Sequence, residues 1–573
     1  MSKMRLLASA AISIFAVSVP ATAAWADDDC GSLREEFCEA EHPELVSPAD
    51  DPFLGAGALA QTYVGSPGSV VQLGFEGVNQ YDAASFARNF IPPDTMGAVG
   101  TTQYMETSNG AYGIFDKATG NRLSVVSDVA FWASAGQTGA NGDSRIMFNK
   151  DANRWVVLSF GASVADIQIA VSDTDNALGT WKSTKFTAYT PAAGLFNGVA
   201  DYPTLAMDKN ALYMGTNDYA ASTPGGSQTF RGTTLNVIPL SSIFAAGGPT
   251  VAGNDQFFSP LGQSNPDRGF AIQGVNSDAA GPNGKAFAVQ AYGFGDTTYN
   301  INNAAGAATQ GNVTLINYAY DSNGAGRQPN AVPDTDVNPA DTITSNNRVI
   351  DTLDDRIGSS VYEVNGRIYA LHTITPTGSD HTAVAIDVVD SATKTLLSQT
   401  LISGGGDYDY YEGSLAVNAN GDVVVGYNRS GSLATGQSGV ISVFARVFRT
   451  NADGSLQQGD SYLLKQSLVD DYHNGSLDGQ VAAGRQRWGD YSQVSLDPTD
   501  PTKFWLIGEY AREYNDAAGG HPGGTGGSRW STWIAEINFA AVPEPATWAM
   551  MLAGFGMVGL AMRRSQKAGV RFA

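Results

Sequence analysis

Arg487-Trp488-Gly489-Asp490-Tyr491-Ser492-Gln493-Val494-Ser495-Leu496-Asp497 opens polar and aromatic, then alternates as a strand does. A Pro/Asp turn from Pro498 to Pro501 follows, and then a second strand, Phe504 to Tyr510. Side chains alternate between the two faces of a strand, so period-2 runs joined by turn residues read as hairpins. The same form recurs upstream, starting at Pro93, Asp143, Asp201, Phe270, Arg356 and Tyr411. Its turns fall at Asp151-Ala152-Asn153, Asp208-Lys209-Asn210, Gly281 to Gly284, Asn365-Gly366 and Asn420-Gly421. Asn-Gly is the strongest short hairpin signal, because both residues accept positive φ.

Seven hairpins at roughly fifty to eighty-five residues from start to start form an internal repeat. Further strands follow within units, such as Ile167 to Val171 and Val440 to Phe444. Four short strands per repeat around a channel is the propeller plan. The expected fold is therefore all-β, a β-propeller of seven blades with four antiparallel strands each. Two β-sandwiches in tandem are the alternative. Val70 to Glu76 alternates ahead of the first unit, and a ring must close, so this strand is expected to pair with Trp533 to Phe539 in the last blade.

The ends are of another kind. Residues 1–26 carry Lys3 and Arg5, an apolar stretch from Leu6 to Val19 and small residues at Ala21 to Ala26, the plan of a signal peptide. Residues 27–66 are acidic and poor in pattern. Cys30 and Cys38 lie there, and two close cysteines in an exported chain are expected to pair. The propeller body is placed at 67–541. Within it four long stretches, Ala188 to Gly198, Gly247 to Asp267, Asp321 to Asn347 and Ser455 to Arg485, read as loops. Helical periodicity is confined to Leu240 to Phe244 and the termini.

Residues 542–573 hold Pro543-Glu544-Pro545, then seventeen uncharged residues from Ala546 to Met562, then Arg563, Arg564, Lys567 and Arg571. As a helix the uncharged run spans about 25 Å, the short limit for a bilayer core, with its basic end on the cytoplasmic side. Pro543 to Met550 resembles the PEP-CTERM sorting signal of Gram-negative bacteria. That resemblance implies a C-terminal hydrophobic sorting helix, an exosortase as partner, and an association with extracellular polysaccharide at the cell surface, outer membrane or matrix. A plain C-terminal anchor is the alternative.

The whole chain has a formal charge of −23. Residues 1–26 and 546–573 carry six basic and no acidic side chains, so the remainder stands at −29. Such a surface repels nucleic acid and anionic lipid and attracts Ca²⁺, although the sequence names no metal ligands. His-Glu-x-x-His, Gly-x-Ser-x-Gly and phosphate-cradling loops are all missing. The five histidines are scattered, and His372 reads as a core histidine.

Chemistry-bearing residues gather instead at the starts of the innermost strands, which ring one mouth of a propeller channel. Asp94, Arg145, Asp201, Tyr202, Arg356 and Trp488 are the candidate ligand-binding residues, with Asp143 beside them. Asp490, Glu412, Tyr411 and Tyr491 are the candidate catalytic residues. Carboxylates, arginines and aromatic faces together suit a sugar or its carboxylate. The competing reading is that each Asp caps backbone amides and ties blades together. By strand alternation Trp488 and Asp490 are expected on one face and Tyr491 on the other.

Ser172-Asp173-Thr174-Asp175-Asn176-Ala177-Leu178-Gly179-Thr180-Trp181 resembles a stretched Asp-box turn of sialidase-like propellers. Pro92 to Gly100 and Arg487 to Tyr491 are similar to segments of secreted bacterial propellers of that kind. The resemblance implies an arginine triad from Arg145, Arg356 and Arg485 or Arg487, and a Tyr411 or Tyr491 partnered by Glu412. Three readings of function are open: a surface propeller that binds extracellular polysaccharide; a carbohydrate-active enzyme, a sialidase-like glycoside hydrolase or polysaccharide lyase, at the same mouth; or an inert structural scaffold.

Overall fold

The computed structural model describes residues 69–251, 356–376, 381–393, 395–404, 408–431, 440–468, 485–514 and 528–539. It also describes short pieces at 44–46, 256–261, 271–279, 285–287, 299–301, 313–316, 332–333, 349–353 and 379. The signal peptide, Cys30, Cys38 and the tail from Pro543 lie outside the described residues.

The chain is an all-β propeller, and six blades built on four antiparallel strands are found among the described residues. Blade I is Met96–Val99, Gln103–Ser108, Ala111–Asp116 and Arg122–Ser127. Blade II is Arg145–Asn149, Arg154–Phe160, Asp166–Ser172 and Trp181–Thr187. Blade III is Phe196–Asp201, Ala211–Ala221, Gln228–Pro239 and Gln256–Leu261, with Ala206–Met207 on the inner side of its second strand. Blade IV is Val361–Val364, Arg367–Ile374, Ala383–Asp390 and Leu396–Ile402. Blade V is Tyr408–Val417, Asp422–Gly431, Ser442–Thr450 and Leu456–Gln466. Blade VI is Gln493–Leu496, Lys503–Tyr514, Ser528–Asn538 and, outermost, Val70–Asn79 from the opposite end of the chain.

Closure by the N-terminal strand is as the sequence implied: Val71 faces Ile537 and Phe75 faces Ile534. Among the described residues the count is six, against seven expected. The hairpin expected from Phe270 to Val289 includes Gln273–Ser277, which pairs antiparallel with Lys285–Phe287 but also parallel with Val361–Val364 of blade IV. That parallel ladder fuses the expected unit into one eight-stranded sheet. A hairpin repeat cannot report such a ladder, because it depends on neighbours brought together in space.

Apolar side chains on both faces of each sheet pack into the next blade. Met105, Trp155 and Trp132 share a buried cluster between blades I and II. Phe75, Tyr104, Trp505 and Ile534 do so across the closing seam, with Tyr104 and Trp505 ring centres 5.7 Å apart. Burying a side chain of this size contributes about 2–3 kcal/mol, so the seam is held by several such terms.

Some stretches read as loops are strands. Leu456–Gln466 forms the outer edge of blade V, and Phe196–Asp201 the start of blade III. Two short helices escaped the periodicity. Gln80–Ser85 is fixed by a capping box in which Asn79 and Asp82 satisfy each other's backbone N–H groups. Asp128–Ser134 is capped by Ser127 and buries Phe131 and Trp132.

Candidate functional site

The approach to an inner strand repeatedly takes a left-handed residue. Asp94, Asp143, Tyr202, Ala271 and Glu412 have φ of 46, 52, 50, 49 and 51°. For residues with a Cβ this costs roughly 1–2 kcal/mol each. Neighbouring blades offset it with side-chain bonds to these corners. Asn109 Oδ1 accepts the Asp143 N–H at 2.9 Å, and Asn217 Oδ1 accepts that of Ala271 at 2.8 Å. The corners turn polar side chains towards the axis at one end of the channel, so site and fold are set by the same feature.

Two candidates serve as blade ties. Asp94 accepts the Asp490 N–H at 2.9 Å and the Asn109 amide at 2.6 Å, joining blade I to blade VI. Asp143 accepts the Tyr491 hydroxyl at 2.9 Å. Burial pushes the Tyr491 phenol well above its usual range, and the neighbouring Asp143 adds to this. Asp201 is buried at the end of its strand. Tyr411 and Trp488 lie in one apolar cluster with Ile350, Ile441 and Ala511, and the Tyr411 hydroxyl donates to Ser430 at 3.0 Å. Side chains of Arg485 and Arg487 lie outside the described residues.

The remaining candidates meet at a cavity. Tyr202, Arg356, Glu412, Asp490 and Tyr491 line it, with Thr352, His372, Thr373 and Ser492 among their neighbours. Alternation does not hold at the last blade: residues 488–492 precede the strand and are irregular. Asp490 and Tyr491 therefore both reach the cavity, while Trp488 does not.

Two guanidinium groups are stacked on this wall. Arg356 lies 4.6 Å from the Tyr202 ring centre, and Arg145 lies 3.5 Å from that of Tyr491. The two rings are themselves 4.8 Å apart. Arg145 is held by the Pro203 carbonyl at 2.7 Å and the Gly358 carbonyl at 3.2 Å, while its buried Nη2 has no hydrogen-bond partner. Tyr202 is fixed in turn by its hydroxyl on the Asp490 carbonyl at 3.0 Å. The centre of a water molecule can range over about 30 Å³ of the cavity. That is room for about two waters, or for the two oxygens of a carboxylate, and too little for a whole sugar ring.

Two residues at this end were not foreseen. His372 is buried as expected, with Nε2 3.0 Å from Asp387 Oδ2, yet it also lines the cavity. Glu509, on the second strand of blade VI, is buried behind Gly489. A Cβ placed on Gly489 would stand 3.1 Å from Glu509 Oε2 and 3.3 Å from Glu412 Oε2, so these oxygens lie within about 6.4 Å of each other. Burial holds the Glu509 carboxyl well above the usual range, and the charges of Glu412 and then Asp94 add to this. The signal was a single Glu in an apolar strand, Phe504 to Tyr510. Among the described residues no three or more His, Cys, Asp or Glu side chains converge to hold a metal ion. No helix among them is long and apolar enough to cross a membrane.

The Ser172–Trp181 segment is the turn between the third and fourth strands of blade II. Asp173 closes it by accepting the Thr180 hydroxyl at 2.6 Å. Its far side clasps blade I: Gln103 Oε1 accepts the Ala177 N–H at 2.7 Å, and its amide donates to Asn176 at 3.0 Å. This turn lies in the outer half of the blade and contributes nothing to the cavity.

Residues 541–565 match the PEP-CTERM protein-sorting motif, which marks an exported protein handled by an exosortase and directed to the cell surface. No curated protein matches the chain. Among solved structures, a protein of unknown function from Dyadobacter fermentans aligns at 10% identity over 83% of this chain and 100% of its own, with a TM-score of 0.26. A thermostable family-43 glycoside hydrolase aligns at 9% identity over 70% and 90%, TM-score 0.29. An exo-1,5-α-L-arabinanase from a bovine ruminal metagenomic library aligns at 10% over 64% and 96%, TM-score 0.29. Scores this low carry no argument about chemistry.

Proposed function

We propose that this exported propeller binds an acidic extracellular polysaccharide at the cell surface, with a sugar carboxylate entering the cavity at the channel mouth. The observation that supports this is the pair of guanidinium groups stacked on Tyr202 and Tyr491. Arg356 lines the cavity, and its planar fork matches a carboxylate. The tyrosine rings beside it offer faces to the sugar. The small free volume favours capture of a substituent over enclosure of a ring, which suits a long polymer lying across the mouth.

The test is retention on immobilised polysaccharides. Wild type should be retained by polygalacturonate and released by salt, with no retention on dextran. Arg356→Gln should weaken retention at least tenfold, the worth of one charge-assisted pair, about 1.5–3 kcal/mol. Equal retention of wild type on the neutral and acidic polymers would overturn the reading. New reducing ends or unsaturated products in the same incubation would favour a carbohydrate-active enzyme, the reading for which Glu412 and Asp490 in one cavity speak.

A further inference from the structure

The cavity presents a charge problem to the acidic ligand just proposed. Among its described lining residues the fixed cation is Arg356, and it faces two carboxylates, Glu412 and Asp490. An entering anion would meet net negative charge if both were ionised. Glu412 does not stand alone, however. One of its carboxylate oxygens lies 3.3 Å, and one of Glu509's 3.1 Å, from where a Cβ on Gly489 would stand, and Glu509 is buried.

We infer that Glu412 and Glu509 form a proton-sharing couple, and that capture of an anionic sugar at the cavity takes up a proton on this couple. The inference rests on the reading of the cavity as an acidic-glycan site. Two carboxylates within about 6.4 Å of each other, one buried and the other half-buried, do not both ionise readily, so one proton stays on the pair above the ordinary carboxylate range. The raised affinity of Glu509 for its proton agrees with that. An anion beside Glu412 strengthens proton binding further, and by linkage the proton strengthens anion binding. Glu509 touches no ligand itself. It is a positioning residue, acting on the cavity through the charge of Glu412.

The other titratable and charged groups at this end are accounted for. Asp94 is engaged by the Asp490 N–H and Asn109, and Asp143 by the Tyr491 hydroxyl. Burial holds the Tyr491 phenol above its ordinary range, with the Tyr202 ring packed beside it. Arg145 and Arg356 supply the two guanidinium groups, and buried Asp201 stands on the neighbouring corner. Tyr411 is bonded to Ser430. His372, bonded to Asp387, the Asp490 carboxylate on the cavity wall, and Glu106, bonded to the Thr532 that pairs with Glu509, are the groups whose own protonation would act in the same direction, so the experiment must separate them.

The probe is oligogalacturonate, with binding to the full-length exported protein followed by calorimetry from pH 6 to 8 in buffers of different ionisation enthalpy. Wild type should take up protons on binding, and Kd should rise about tenfold over this range, within the limit of tenfold per pH unit for one proton. Glu509→Gln should change by less than about threefold, because Glu412 then titrates alone at lower pH. His372→Asn, Asp490→Asn and Glu106→Gln should each keep the wild-type slope. Binding that is flat in pH, a Glu509→Gln variant with the full slope, or a slope lost in any of those three controls would each overturn the couple while leaving the glycan reading intact. No binding at any pH would remove both. Should Glu509→Gln not fold, Glu412→Gln breaks the couple from the other side and must likewise flatten the profile.

Discussion

Glu106 offers the most direct test of how the ring is closed. It lies on the second strand of blade I and is buried where blade I, the N-terminal closing strand and blade VI meet. Its Oε2 accepts the Val78 N–H at 2.8 Å, and its Oε1 accepts the hydroxyls of Thr532 at 2.7 Å and Ser108 at 3.1 Å. Burial pushes the carboxyl up to about 7 from 4.5, against the lowering effect of the Thr532, Val78 and Ser108 bonds and the Arg122 charge. A carboxyl raised on folding holds its proton more tightly in the folded chain. Its contribution is therefore complete below pH 4.5 and is lost as pH rises through about 7. The shift corresponds to about 3 kcal/mol between those limits.

Glu106→Gln removes that titration and can keep the bonds. The amide oxygen can take the Val78 N–H, while the amide NH₂ donates towards Thr532 and Ser108. Thr532 has a second acceptor for its own proton in the Val78 carbonyl at 3.0 Å. The variant should match wild type near pH 5 and exceed it by up to about 3 kcal/mol at pH 8. In a body of nearly five hundred residues the unfolding entropy is about 1 kcal/mol/K, so the gain is about 3 °C in Tm. Scanning calorimetry from pH 5 to 8.5 measures it. Buried Asp218, pushed up to about 8, slopes in the same direction in both proteins, so the difference between them isolates Glu106. Parallel Tm profiles for the two proteins would refute the reasoning.

Two further outcomes follow from the blade ties and the tail. Gln103→Ala leaves the buried Ala177 N–H without its acceptor, and should lower stability by about 1–3 kcal/mol, read as a shift in the urea midpoint at unchanged slope. A drop no larger than that of an exposed substitution would mean that the Ser172–Trp181 turn does not couple blades I and II. Protein recovered from the cell surface should end near Pro545, as peptide mass spectrometry would show. Surface material with intact peptides through Arg564 would count against processing at the sorting motif.

The legible part of the fold was the part written in neighbouring residues. At Asn365-Gly366 both positions take positive φ, 53 and 74°, as the hairpin reading required. The closing strand was legible from an alternating run with no partner nearby. The number of blades was not, because the parallel ladder between Val275 and Val361 joins residues far apart in the chain. Leu456–Gln466 escaped because a strand at the outer rim is half exposed and mixes polar with apolar residues. The seven residues Asp128–Ser134 are too few for a helical period to show.

The site divides along the same line. Corners before inner strands were visible as places where Asp, Tyr and Glu collect, yet their division of labour depends on which partner arrives from the next blade. Asp94 and Asp143 spend their acceptors on Asp490, Asn109 and Tyr491, which makes them ties between blades. Glu412 stands on a corner of the same backbone conformation, but its carboxylate faces the cavity and Gly489. Identical backbone corners therefore carry blade-tying and cavity-facing carboxylates side by side. Gly489 is what separates the roles: lacking a Cβ, it lets Glu509 approach Glu412, and any larger residue would press on both carboxylates at about 3 Å. The closeness of the two carboxylates at this mouth thus rests on a glycine and a buried glutamate, neither of which a search for exposed catalytic side chains would select.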